Sequence, residues 1–310
     1  MMIERVFWGL GLLTGSMTLG WWLGRRGVLN DERANRLVRW VIKGPAPVVL
    51  CLSFWRMNLR SPEPWLLPVT GFLVSCSTLI PAWIYAKRAK LTQPQTGSFI
   101  TSAFFSNVGY LGAYMAFALF GETAYALCVL YFIFFTPSFY TLGFSIAAHY
   151  GEKRRALRLK DALYDELRLY PFLGMMAGVV LSFLHVPRPP FLEHVNHVLI
   201  NVDTVLDLVA LGSQVILVSP RLWFRPCLAM SGIKFIYTPF IAWLLVSLFH
   251  IHGLPRMIVL LEASTPVGVS PLMLPLLFGL DRRLSNALWL FTTLAAIPWL
   301  LLILPFLQHL

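Results

Sequence analysis

The chain has 310 residues, of which 57 % are hydrophobic and only 13 % charged, with a formal net charge of +11 and a mean hydropathy of +0.70. A soluble globular domain carries about 25 % charged residues, so a mostly water-facing surface is excluded. The basic excess points first to nucleic acid, but its placement along the chain argues against that partner.

Ten apolar segments follow in chain order, beginning near residues 6, 37, 65, 98, 123, 169, 195, 226, 257 and 284. The runs 6–23, 65–86, 91–121, 123–148 and 284–310 contain no Asp, Glu, Lys or Arg. Each reaches the roughly 18–20 residues that cross about 30 Å of hydrocarbon at about 1.5 Å per residue. Backbone groups in lipid need internal partners, so the segments are expected to be helices; barrel strands are shorter and alternating. Segment 1 has Arg5 ahead of it and Arg25–Arg26 behind it. A cleaved leader carries its positive charge first and small residues at its end, so residues 1–24 read as a retained span. Cys51, Cys76, Cys128 and Cys227 lie apart within apolar segments, without metal or redox spacing, and read as small packing residues.

Segment 4 carries Asn107-Val108-Gly109-Tyr110-Leu111-Gly112 at its middle, an amide and two glycines at membrane depth. After segment 5 comes the longest polar stretch, 149–168, where Leu157, Leu159, Leu163 and Leu167 interleave with charges; it reads as a cytoplasmic linker with a short interfacial helix. Segment 9 holds Pro266, Gly268, Pro271 and Pro275 beside Glu262, Ser264 and Thr265. Each proline removes a backbone donor and clashes with the preceding turn, while glycine eases unwinding. Groups freed in this way cannot face lipid, so each interruption is expected to line a protein-enclosed cavity. There, half-helix N-termini suit an anion and unwound carbonyls suit a cation. The simpler reading is that Gly and Pro merely kink membrane helices; two interruptions at matching places favour a site.

They match because the halves resemble each other. Leu119–Phe120–Gly121 recurs as Leu277–Phe278–Gly279 at an offset of 158, which also relates Pro81 to Pro239 and Asn107 to Thr265. Ala126–Leu127 with Pro137 recurs as Ala287–Leu288 with Pro298 at an offset of 161. An odd number of spans per copy turns the second copy upside down. The expected organisation is residues 1–148 as a first five-helix repeat, 149–168 as the linker and 169–310 as a second, inverted repeat. The fold class is then an all-α integral membrane protein of about ten transmembrane helices, with broken, crossing helices 4 and 9 and alternating access to a midplane site.

The loops after odd-numbered segments hold Arg25, Arg26, Arg33, Lys87, Arg88, Lys90, Lys153, Arg154, Arg155, Arg158, Lys160, Arg168, Arg221, Arg225, Arg282 and Arg283, which is 16 positive residues. The opposite side has Arg5, Arg56, Arg60, Arg188 and Arg256, which is 5. By the positive-inside rule the first side is cytoplasmic and both termini are extracytoplasmic. The basic charge is thus a topology signal: nucleic acid is not an expected partner, and the expected location is a cell membrane, multi-pass, of the bacterial inner type.

The run Asn107-Val108-Gly109-Tyr110-Leu111-Gly112, followed by Leu119-Phe120-Gly121, resembles the signature region of the auxin efflux carrier family, including its bacterial members. Pro266 and Pro271 in segment 9, with Asp281 after its last glycine, extend the resemblance into the second half. It implies an inverted five-plus-five fold with a scaffold bundle and a transport bundle, and carriage of small organic anions such as auxin-like or dicarboxylic acids. Family members often have a proline two residues after the glycine matched by Gly112, where this chain has Tyr114. Segment 4 is therefore expected to be less sharply broken than segment 9, or to present the tyrosine hydroxyl to the site. A more distant resemblance, to sodium–bile-acid symporters, would make Ser106, Asn107 and Glu262 sodium ligands, although three oxygen-bearing residues are a weak cation signature.

Lys43, Asp203, Asp207, Lys234 and Glu262 lie within segments, where charge is costly unless paired or hydrated. Asp203 and Asp207 share a helix face, and either is a plausible partner of Lys234, as a fixed structural pair or a breakable proton relay. Lys43 is close enough to the cytoplasmic surface to snorkel. Glu262 reads either as water-facing or, four residues before Pro266, as part of the site. His194 with His197 and His250 with His252 read as surface residues, because no carboxylate or cysteine completes a metal set. No phosphate loop or nucleophile motif occurs, so neither enzymatic activity nor a cofactor is expected.

The function read from the sequence is an energy-coupled carrier of a small organic anion, embedded in lipid, with a homodimer as one candidate assembly. Asn107, Gly109, Gly112, Tyr114, Thr265, Pro266 and Pro271 are the expected substrate-binding residues. Asp203, Asp207, Lys234 and Glu262 are the charged candidates for coupling. The expected coupling ion is the proton: one buried carboxylate with a changing partner suffices, whereas sodium needs several converging oxygens. The rival reading is a membrane-embedded ligand sensor on the same scaffold, with which Tyr114 is compatible.

Overall fold

The computed structural model describes residues 2–153, 166–215 and 223–308. Each of the ten segments is helical. Segment 1 is Met2–Arg25, and segment 2 is Asp31–Lys43 continued beyond Gly44 by Pro45–Arg56. Segment 3 is Glu63–Arg88, segment 5 Glu122–Tyr150, segment 6 Glu166–Phe183, segment 7 Phe191–Ser213, segment 8 Phe224–Leu248 and segment 10 Arg282–Gln308. Among the described residues six stretches, in segments 2, 3, 5, 7, 8 and 10, are long and apolar enough on their own to cross a membrane. Two helix starts carry side-chain caps: the Asn30 Oδ1 accepts the Arg33 N–H at 2.9 Å, and Thr92 with Gln95 forms a capping box. The linker expected over 149–168 lies mostly outside the described residues.

Segments 4 and 9 are each in pieces. Segment 4 comprises Gln93–Phe104, Val108–Gly112 and Ala113–Phe120; segment 9 comprises Gly253–Ala263, Ser270–Leu272 and Leu274–Phe278. Both end on the glycine of the recurring Leu-Phe-Gly triplet, Gly121 at φ +83 and Gly279 at φ +73. There the Gly121 N–H donates to Phe117 O at 2.8 Å and the Gly279 N–H to Pro275 O at 2.9 Å. This left-handed stop favours glycine, so the recurring triplet marks where each broken segment terminates.

The chain forms two compact units, each drawn from both halves of the sequence. Unit 1 takes the described residues of Met1–Pro64, Ala113–Leu127 and Tyr164–Val215; unit 2 takes those of Trp65–Gly112, Cys128–Leu163 and Ile216–Leu310. In unit 1, segment 1 packs on segment 7 and segment 6 on segment 2. Gly20 and Gly24 lie against the backbone of Val209 and Ser213, while Gly174 and Gly178 lie against that of Pro47 and Cys51. A Cβ at any of the four would overlap the neighbouring helix. In lipid, where apolar burial drives association weakly, such small-residue stripes let backbones approach and pack. In unit 2 the first piece of segment 4 packs against segments 3, 5 and 10, and segment 9 against segment 8. An aromatic cluster of Phe104, Phe105, Phe139 and Phe278 with Leu274 and Leu280 fills the core beside the segment 4 break.

Candidate functional site

The interruptions of segments 4 and 9 meet inside unit 2. Residue Ser106 pairs antiparallel with Val267, and on either side the Asn107 N–H donates to Pro266 O at 2.8 Å and the Gly268 N–H to Phe105 O at 2.9 Å. The Val267 N–H donates to the Thr292 hydroxyl of segment 10 at 3.2 Å. Backbone groups freed from each helix thus find protein partners across the break, as membrane depth demands. The offset of 158 sets Asn107 against Thr265, one residue from its observed partner Pro266.

The two breaks differ in sharpness. After Asn107, segment 4 resumes at once with a turn of π-helix, in which the Gly112 N–H donates to Asn107 O at 3.1 Å, and runs on as helix to Phe120. Nothing interrupts it at Tyr114. Segment 9 leaves its helix at Ala263 and returns only at the 3-10 turn Ser270–Leu272. Pro271 and Pro275 each stand at the start of a short helical piece, where a missing N–H costs little. Without a proline at 114, segment 4 is the less sharply broken.

Asn107, Gly112, Thr265, Pro266 and Pro271 are buried, whereas Gly109 is exposed. Thr265 donates its hydroxyl to Glu262 O at 2.7 Å, which makes it a shaper of the break. Ser106 and Val108 line a narrow cleft walled by Phe72, Phe104 and Tyr131. Tyr114 belongs to unit 1, where its hydroxyl donates to Asn201 Oδ1 at 2.8 Å in an open cleft shared with Arg5, Phe117 and His197. Asp203 and Asp207 also belong to unit 1; the first is buried, the second half-buried, and the Oδ1 of each has no hydrogen-bond partner among the described residues. Lys43 has its ammonium over the Tyr170 ring at 5.6 Å.

Two charged side chains stand at the crossover itself. Lys234 is wholly buried in a π-turn, Ile233–Tyr237, of segment 8. Its Nζ donates to Ala103 O at 2.6 Å and to Ser106 Oγ at 2.8 Å, neither of them a carboxylate. Glu262 is equally buried, so it does not face water. Its carboxylate packs onto Gly112, where any Cβ would overlap it, with the Cys128 thiol as its polar neighbour and Tyr131 nearby. Among the described residues neither carboxylate oxygen meets an N–H or O–H donor, and a thiol is a weak one.

Sequence reasoning missed a further buried acid, Glu122 of unit 1. Arg188 reaches it twice, Nη1 to Oε2 at 3.0 Å and Nη2 to Oε1 at 2.8 Å, and Asn196 Nδ2 donates to Oε2 at 2.7 Å. Arg56 stands 3.4 Å away, and Asn196 also donates to Ser53 Oγ at 3.0 Å. The available signal was an acid placed directly after the recurring glycine, Gly121.

Interrupted spans that meet through their backbones inside an all-α membrane protein are the architecture of a membrane carrier. Residues 15–304 match the family described as membrane transport protein, the family of the auxin efflux carriers, and the chain belongs to it. It is 26 % identical over 292 residues to an uncharacterized transporter of Methanocaldococcus jannaschii, covering 89 % of this chain and 92 % of the relative. A second uncharacterized transporter, from Methanothermobacter thermautotrophicus, is 24 % identical over 281 residues, covering 90 % of this chain and 91 % of the relative. The protein is a multi-pass membrane transporter.

Proposed function

We propose that the protein is a secondary active carrier that moves a small organic anion, a carboxylate or auxin-like acid, by alternating access. The observation that carries this reading is the meeting of the two interruptions at Asn107–Pro266 and Phe105–Gly268. The resumed helix Val108–Phe120 presents its positive end at the break, beside exposed Gly109, which suits an anion. The aromatic cleft at Ser106 suits its organic part. Alternating access draws support from the packing of unit 1. Exchanging segment 1 with 6 and segment 2 with 7 turns the 1·7 pair into the 6·2 pair, and both close through a Gly-xxx-Gly stripe on equivalent segments. Two inverted repeats would have this property.

On this reading coupling is to protons, with Glu262 as the buried carboxylate, the membrane is a bacterial inner membrane and both termini are extracytoplasmic, a topology that the distribution of positive residues supports. The test is uptake of labelled succinate and indole-3-acetate into proteoliposomes, under a pH gradient and then a sodium gradient, with binding measured in parallel. Proton-stimulated uptake of either acid is expected, and Pro266→Ala should lower uptake more than expression. Binding without flux would instead identify a sensor, and sodium-only stimulation would refute proton coupling. A cysteine probe at Ala156 should resist labelling from outside while one at the C-terminus is labelled; the reverse pattern inverts the topology.

A further inference from the structure

The break in segment 4 frees a carbonyl at the end of a half-helix. In an unbroken helix Ala103 O would accept the N–H of Asn107, but that N–H is given to Pro266 O. Ala103 O therefore lies at the negative end of Gln93–Phe104 without its helical partner. An unwound carbonyl and a hydroxyl at such a place are what a carrier uses to hold a coupling cation. Here the wholly buried Nζ of Lys234 holds both, at 2.6 Å to Ala103 O and 2.8 Å to Ser106 Oγ.

The segment 9 break is treated differently. Carbonyls at its helix end are met by hydroxyls: Thr238 Oγ1 lies 2.7 Å from Ala263 O, Thr265 Oγ1 2.7 Å from Glu262 O and Ser264 Oγ 2.7 Å from Leu260 O. Thr238 follows Lys234 by one turn on segment 8, so one helix supports both breaks, with a cationic side chain at one and a neutral side chain at the other.

We propose that Lys234 is a tethered cation: its ammonium occupies the place at the crossover where a coupling sodium ion would bind, so the carrier neither needs nor binds sodium there. An ammonium is a compact point charge with several donors, suited to convergent oxygens much as a small cation is. Being covalent, it is present whether or not substrate is bound. The inference rests on the carrier reading for its meaning, but its test needs no substrate.

The test is binding of radioactive sodium to purified protein in detergent, in potassium chloride, with excess unlabelled sodium as competitor. The wild type should bind none that can be displaced. Lys234→Ala vacates the space beside Ala103 O and Ser106 Oγ and should acquire displaceable sodium, whereas Lys234→Arg, which keeps the charge, should not. Displaceable sodium on the wild type overturns the proposal, and so does a folded Lys234→Ala protein that binds none. If Lys234→Ala fails to fold in potassium chloride, rescue of its folding by sodium supports the proposal and absence of rescue counts against it. Failure to transport either organic acid would sink the proposed function and leave the sodium result as it stands.

Discussion

Glu122 in unit 1 and Glu262 in unit 2 are 3 % and 0 % exposed, yet their surroundings are opposite. Around Glu122 two guanidinium contacts from Arg188 and an amide from Asn196 converge on the carboxylate, with Arg56 behind them. Around Glu262 there is a glycine face, a thiol and, among the described residues, no N–H or O–H donor. A buried acid provided with donors is an anchor, since its charge is matched and its geometry fixed. A buried acid without them is held in a costly state by the fold around it, which is the condition of a group whose partner or proton comes and goes. Burial does not separate the two cases; the donors do.

Four substitutions test this contrast. Arg188→Ala leaves Glu122 enclosed and without its main counter-charge, so stability should fall by about 3–5 kcal/mol, read from thermal unfolding in detergent. A near-unchanged transition would show that Glu122 is no anchor. Gly112→Ala pushes a Cβ into the Glu262 carboxylate and should cost about 1–3 kcal/mol. Adding Glu262→Ala should recover most of that loss, and strictly additive losses would place the crowding elsewhere. Glu262→Gln removes no hydrogen bond and should change stability by about 1 kcal/mol or less while slowing uptake. A loss as large as that of Arg188→Ala would make Glu262 structural and erase the contrast.

The ten segments were legible because uncharged runs of membrane-spanning length leave few alternatives. Both interruptions were legible because Asn107, Gly109 and Gly112 in one and Pro266, Gly268 and Pro271 in the other are poor helix formers in lipid. The register between halves even placed Asn107 within one residue of its partner. What the sequence hid depends on contacts between distant residues. Arg188 reads as an outer-loop charge until segments 2 and 5 bring the Leu52 carbonyl and Glu122 to it, with Asn196 of segment 7 on the same carboxylate. Lys234 invites a carboxylate partner by charge, but its observed partners are a carbonyl freed by another segment and a hydroxyl. Position along segment 9 left Glu262 open between facing water and joining the site, because sequence position does not show the neighbours that enclose a side chain.

The exchange of backbone hydrogen bonds at the crossover also has a consequence for biogenesis. Segment 4 leaves the ribosome well before segment 9, and until then Asn107 has no Pro266 carbonyl to bond and Phe105 no Gly268 amide. Lipid supplies no substitute. A nascent segment 4 that enters the bilayer early therefore inserts as an uninterrupted helix, with the Asn107 N–H returned to Ala103 O, or else stays at the interface where water solvates it. The native break is completed only when segments 8, 9 and 10 arrive, the first bringing Lys234 to the vacated carbonyl, the second the Pro266 carbonyl and Gly268 amide, and the third the Thr292 hydroxyl for the Val267 N–H. A chain halted after its first half thus holds a helix that has yet to open.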